Sequence, residues 1–335
     1  MAGQSQIAYF HRSVSMSIEF IWQLPTSGDG RYGDATHTLR GERPSGRSPF
    51  TAGVSDPRGD RFNYFDYLHQ VARAADLSGF NGVQIQNDLE GDDSWIVAGY
   101  LARGTRNLKL LTQFEASWGS AVYAAKNAVS FQRASGARFA WSIGRGAAAQ
   151  VRRRHGDNVA DTDVLPRIDE FLTVARGVQA TAPFSFKGRF FEVQDGGFRG
   201  PLANNPVPPV YLSGATEQAY LLSARQADVH VLDAVPLKLL HPAIETLQRL
   251  AAREGRTLAL GLRIDLLARE SEDEALRDAE RYWQQAGNAA QAPSGAGLWA
   301  AVDGTRSDAT ATLVGSYEQV VAHLAAYAAS GISSF

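Results

Sequence analysis

Short apolar runs rich in β-branched and aromatic residues alternate along this chain with longer stretches whose apolar positions recur at helical spacing. Residues 17–24, "SIEFIWQL", read as a first buried strand. A polar insertion dense in Gly, Pro, Ser and Arg fills 37–61. The chain then offers a helix at 65–79 that stops on Gly79, a strand at 82–87, and a helix at 94–104 ending on Gly104. A strand at 108–115, a helix at 121–135 and a strand at 138–144 follow. After a helix at 164–180, "FSFKGRFFEVQ" (184–194) predicts an inserted hairpin turning at Lys187-Gly188. The alternation resumes with strands at 209–214, 227–233 and 258–270, separated and followed by helices at 217–226, 236–255 and 272–287.

Strands alternating with helices imply parallel pairing through right-handed crossovers. Seven strand candidates, and an eighth beginning at "GISSF", predict an α/β fold of the (β/α)8 TIM-barrel type with insertions, not an open doubly wound sheet. The eighth strand is expected to be cut short at Phe335, with no closing helix. Two segments break the alternation, the early insertion and the Gly/Ala/Ser/Thr-rich stretch 288–312, and both are expected to be lids, binding loops or disorder. There is no internal repeat of fixed period. Met16 opens "MSIEF", so residues 1–15 are expected to be a disordered leader before a single barrel domain over 16–335.

The 335 residues are 44% hydrophobic and 20% charged, with a formal net charge of -2. That balance lacks the basic excess of nucleic-acid or membrane-surface proteins. There is no cysteine, which removes disulfides, thiolate metal sites and thiol nucleophiles. No run reaches membrane-span length, and the first residues have no signal-like apolar core, so a cytoplasmic protein is expected. The seven histidines show no ligand spacing, and no metal is expected.

Several stretches carry possible chemistry. "FIWQLPTSGDGRYGD" (20–34) passes from an apolar strand into glycine, aspartate and serine, as a surface turn or an active-site mouth would. Gly144-x-Gly146-x-x-Ala149 follows a strand, but "RRRHGDNVADTD" supplies no second strand ending in an acid, so it is not a dinucleotide fingerprint. "YLSGATEQ" sets Gly214, Ala215 and Thr216 between a strand and a helix start, which suits either a phosphate or an ordinary N-cap at Thr216. In "GLRIDLL", Arg263 and Asp265 stand two apart and are expected to share one strand face, as pocket residues or as a structural ion pair. "RRRH" (152–155) reads as a solvated face.

"LPTSGDGRY" after the first strand resembles the corresponding loop of the flavin-dependent alkanesulfonate monooxygenases of the bacterial luciferase-like family. The similarity continues through "GFNGVQIQNDLEGDDSWIVAGYLA", "LKLLTQFEAS", "RFAWSIGRG", "FKGRFFEV", "PPVYLSGATEQA", "GLRIDLLARESEDEA" and "LWAAVDGTRSDATATLVGSYEQV". It spans nearly the whole chain from Met16. The resemblance implies a (β/α)8 barrel that takes reduced FMN from a separate NAD(P)H-dependent flavin reductase. With O2, it would oxidise an organosulfonate to an aldehyde and sulfite. Gly214, Ala215 and Thr216 match the family's phosphate turn, Arg263 its strand arginine and Arg306 the arginine of its mobile lid. Two guanidinium groups make a suitable sulfonate clamp. Asn87, Gln113 and Ser142, at the ends of the second to fourth strands, are expected to face the flavin ring.

The chain departs from the sulfonate enzymes at several positions. Ser27 stands where they carry histidine, Gly91 where some carry cysteine, Glu115 where arginine is common, and Asp233 near an aromatic position. Asp265 takes the place of a histidine. Such polar replacements favour a polar substrate, such as a sugar sulfonate. The alternatives are a flavin- or deazaflavin-dependent dehydrogenase, or a truncated flavoprotein without turnover. A homo-oligomer is expected from the flat helical faces.

Overall fold

The computed structural model describes residues 18–26, 64–87, 91–144, 149–285, 293–300, 302 and 310–335. The first half runs β1 (Ile21–Gln23), α1 (Tyr64–Leu77), β2 (Gly82–Ile85), α2 (Ser94–Gly104), β3 (Lys109–Phe114), α3 (Ala121–Ser135) and β4 (Phe139–Ile143). Next come α4 (Ala149–Arg154), α5 (Asp161–Ala180) and the antiparallel hairpin of β5 (Phe184–Lys187) and β6 (Glu192–Gly196). Then follow β7 (Val210–Ser213), α6 (Glu217–Gln226), β8 (Val229–Asp233), α7 (Leu237–Arg253) and β9 (Ala259–Arg263). The chain closes with β10 (Asp265–Arg269), α8 (Glu272–Gln285), β11 (Gly297–Trp299), β12 (Thr312–Ser316), α9 (Tyr317–Ala329) and β13 (Ile332–Ser334).

Eight parallel strands form one sheet in the order β1-β2-β3-β4-β7-β8-β9-β13, the expected barrel. The short last strand reaches the first. A parallel bridge joins Glu19 to Ser334, Glu19 N–H donates to Ser333 O at 2.8 Å, and Ile21 N–H donates to Phe335 O at 2.7 Å. Backbone groups of the first and last strands are therefore paired across the seam.

Side chains alternate across the barrel wall. Val83, Ile85, Leu110, Phe139 and Trp141 face outward into clusters with the helices, each at most 1% exposed. Burial of this kind contributes about 1.5–3 kcal/mol per large side chain. Leu111, Ala140, Tyr211 and Val229 face inward and fill the barrel's middle layer. Caps fix where the helices begin. Asp93 accepts from Trp95 N and Ile96 N ahead of α2, and Ser316 with Gln319 forms a capping box on α9.

The predicted strand 258–270 is not continuous. It divides at Ile264 into β9, in the barrel, and β10, which pairs in parallel with β12. With antiparallel β11, these make a separate three-stranded sheet. Part of the Gly/Ala/Ser/Thr-rich stretch thus joins ordered structure beside the mouth. The insertion 37–61 lies outside the described residues.

Candidate active site

The inward rows change character toward the C-terminal end of the barrel. Below, Lys109, Glu19, Tyr211 and Ser334 close the floor. Lys109 Nζ pairs with Glu19 Oε1 and donates to Tyr211 Oη at 2.8 Å, while Tyr211 Oη donates to Glu19 Oε2 at 2.9 Å. Burial, reinforced by Glu19, pushes the Tyr211 phenol up, so it stays a donor. Above the apolar middle, the same faces end in Gln113 opposite Ser142, and in Asp233 opposite Arg263. A cavity of about 490 Å³ lies on the side of the barrel where β1 and β2 meet β9 and β13, reaching from Tyr211 and Ser334 up to Gln23, Gln84, Arg263 and Asp265. Its outer side is aromatic. Phe20 stacks on Phe335 at 5.7 Å, and Trp22 meets the edge of Phe80 at 5.3 Å.

Arg263 is held by Asp233, its register partner on β8. Nη2 lies 2.8 Å and Nε 2.9 Å from Asp233 Oδ1. This corrects the expectation that Asp265 shares a strand face with Arg263. A period-two pattern holds only within one extended strand, and the chain leaves the barrel between the two residues. Asp265 opens β10 with its N–H donated to Ala311 O at 3.1 Å. Both residues nevertheless border the same cavity.

The Gly214–Thr216 turn lies at the end of β7, between β4 and β8 in the ring of strands. Gly214 has φ of 141°, a conformation that a side chain disfavours. Thr216 is the N-cap of α6, its Oγ1 accepting from Ala219 N at 3.2 Å. Among the described residues, the N–H groups of Gly214, Ala215 and Thr216 have no acceptor in the protein. Exposed N–H groups at a helix start fit a flavin phosphate. Behind the turn sits His230, fully buried, with Nδ1 2.7 Å from Ser223 Oγ. Burial pushes its pKa down to about 4, with the Gly214 backbone and Asp233 opposing, so a neutral ring supports the turn.

Asn87 and Gln113 engage one another. Asn87 N–H donates to Gln113 Oε1 at 3.3 Å, and Asn87 Oδ1 accepts from Ser94 N at 3.2 Å. Gln113 Nε2 in turn donates to Glu115 Oε1 at 3.4 Å. Ser142 is half-buried beside Gln113. Arg306 and Ser27 lie outside the described residues. Gly91 is half-buried, just ahead of α2. The sequence reading missed Gln23 and Gln84 as cavity residues and Asp233 as the partner of Arg263. The signal for the last was present. Val229, Val231 and Asp233 alternate on β8 as Ala259, Gly261 and Arg263 do on β9.

Residues 40–334 match the model of the family described as luciferase-like monooxygenase. The chain belongs to that family. Solved structures agree on the fold of this luciferase-like chain. A riboflavin lyase with modified FMN and riboflavin aligns with a TM-score of 0.70 at 15% identity, covering 95% of this chain and 86% of that one. A long-chain alkane monooxygenase aligns at 0.69 and 13% identity, covering 95% and 86%. A coenzyme F420-dependent tetrahydromethanopterin reductase from Methanopyrus kandleri aligns at 0.65 and 14% identity, covering 81% and 89%. Among the described residues, no helix of this luciferase-like chain is long and apolar enough to cross a membrane.

Proposed function

We propose that the protein is the oxygenase of a two-component flavin monooxygenase. It would take reduced FMN from an NAD(P)H-dependent reductase and use O2 to convert an organosulfonate into an aldehyde and sulfite, with one oxygen atom leaving as water. The observation that carries this reading is the arrangement of the mouth in a luciferase-like barrel. Free N–H groups at Gly214–Thr216 suit a phosphate, and Arg263 beside the cavity suits a second, smaller anion.

Bound flavin would supply the activated oxygen. The chain's own residues bind and orient. The α6 N-terminus attracts the phosphate, and the mouth residues Asn87, Gln113 and Ser142 offer polar atoms to the ring. Arg263, held by Asp233, stands in the cavity wall, where its charge attracts the substrate anion. Asp233 and Asp265 favour a substrate carrying hydroxyls next to its sulfonate, because carboxylates accept hydrogen bonds from such groups. Arg306 is the second anion ligand in this reading.

The test is sulfite release in the presence of FMN, NADH, a flavin reductase and a panel of alkyl and sugar sulfonates. Sulfite formed in proportion to substrate-dependent O2 uptake is expected, fastest with the polar members. Flavin oxidation with no sulfite from any member would refute the sulfonate assignment. Substrate oxidation that proceeds without O2 would indicate a dehydrogenase instead.

A further inference from the structure

Glu115 follows directly on β3, and its carboxyl lies across the end of β4. A Cβ placed on Gly144 would stand 1.9 Å from Glu115 Oε1 and 2.6 Å from its carboxyl carbon, so the missing side chain at 144 is what makes room for the acid. Gln113 joins it to Asn87, forming a chain of polar groups across the ends of β2 and β3. The charged groups around it come from three further segments: Arg152 on α4, Asp157 in the following loop, and Arg167 on α5. The nearby cations are already engaged with other carboxylates. Arg167 forms a two-pronged bond to Asp157 at 3.0 and 2.6 Å, and Arg152 bonds Asp161 at 2.5 Å. Burial therefore dominates and pushes Glu115 up to about 7, against the Gln113 hydrogen bond and Arg167. Near neutral pH both its acid and base forms are populated, the condition for efficient proton exchange.

We propose that Glu115 is the proton-exchanging side chain of the C-terminal mouth. Its carboxyl O–H gives a proton to a basic oxygen or nitrogen of the ligand held there, leaving a carboxylate that takes a proton back from water. The inference rests on the oxygenase reading, in which one oxygen of O2 ends as water and must collect protons at this mouth. The plainer reading is a buried acid with a structural role, and it makes different predictions.

The experiment is a carboxyl 13C NMR titration of the full chain labelled at glutamate, with Glu115→Gln to assign the signal. A midpoint near 7 is expected, moving when FMN is added. Gly144→Ala should drive the carboxyl from its seat and return the midpoint toward the ordinary glutamate range. In turnover, the wild type should show an inflection near the same pH. Glu115→Gln should lose that inflection and fall roughly 100-fold in kcat, with FMN affinity within about twofold of wild type. An ordinary Glu115 midpoint, or a Glu115→Gln enzyme with the wild-type pH profile, would overturn the proposal. Failure of the wild type to bind FMN at any pH would remove the oxygenase reading and this inference together. FMN binding that leaves the Glu115 signal unmoved would remove this inference alone.

Discussion

Arg263 and Asp233 face each other across β8 and β9 with Nη2 2.8 Å from Oδ1, and Asp233 is 58% exposed. An ion pair open to water contributes little to folding, because solvent screens it and both side chains give up freedom to form it. Its consequence is directional. Asp233 holds one side of the guanidinium, and the fork is oriented at the cavity wall. Stability and binding should therefore separate at this residue.

Arg263→Ala is expected to cost about 1 kcal/mol of folding stability or less. The KM for the sulfonate should rise about tenfold or more, as expected when a charge-assisted bond to an anion is lost. Paired thermal melts and sulfite-release kinetics check this. A large fall in Tm with unchanged KM would make Arg263 structural.

The barrel was legible because its signal is repeated: each β/α unit states its own period, and the units agree. The break at Ile264 was not, because "LALGLRIDLLARE" keeps strand-like apolar residues on both sides of Arg263 and Asp265, with no Gly or Pro at 264 to mark the change of sheet. β10 finds its partner in β12, and that contact spans more than forty residues. Glu115 shows a different limit. Its position after a strand was visible, but its protonation depends on Gly144, Arg167 and Asp157, which come from other segments. The turn at Gly214–Thr216 was the most readable part of the candidate site as local structure, since glycine, threonine and a helix start are adjacent in the chain.

Thr216 separates capping from cofactor binding. Aspartate caps a helix about as well as threonine, whereas alanine loses about 1 kcal/mol. Thr216→Ala should thus lower stability by about that amount and change FMN affinity little. Thr216→Asp should keep the stability and weaken FMN binding tenfold or more, roughly 1.4 kcal/mol, by setting a carboxylate against the phosphate. Fluorescence titration with FMN decides it, and unchanged affinity of Thr216→Asp would take this turn out of the site.

Asp157 anchors the buried cations around α5. Its side chain is 5% exposed and that of Arg167 14% exposed. The Arg167 hydrogen bonds hold the Asp157 carboxyl below the usual range, against the effect of burial. Because the folded-state pKa is depressed, this contribution is present above the unfolded value of 3.8 and is lost as pH falls through the folded one. Asp157→Asn should cost about 3 kcal/mol at neutral pH by leaving Arg167 buried without its carboxylate. The difference from wild type should shrink in acid. Urea melts at neutral and low pH measure both, and a constant difference would count against the pair.

Glu115 should act on stability with the opposite sign. Its folded-state pKa of about 7 lies above the ordinary value of 4.5, so the native protein keeps a proton that the unfolded chain releases across this interval. Stability therefore falls as pH rises from the lower value to the upper one, by up to about 3 kcal/mol, and levels off above it. Glu115→Gln has no proton to lose and presents a neutral group of nearly the same shape to Gln113. Its stability relative to wild type should climb through the same interval and reach a plateau beyond it. Asp157 does not confuse the comparison, since its transition lies below 3.8. Denaturant melts of the two proteins at several pH values from about 4.5 to 8 give the curve directly. A flat difference would mean that Glu115 ionises as an exposed carboxyl does, and its seat over Gly144 would then carry no cost in charge.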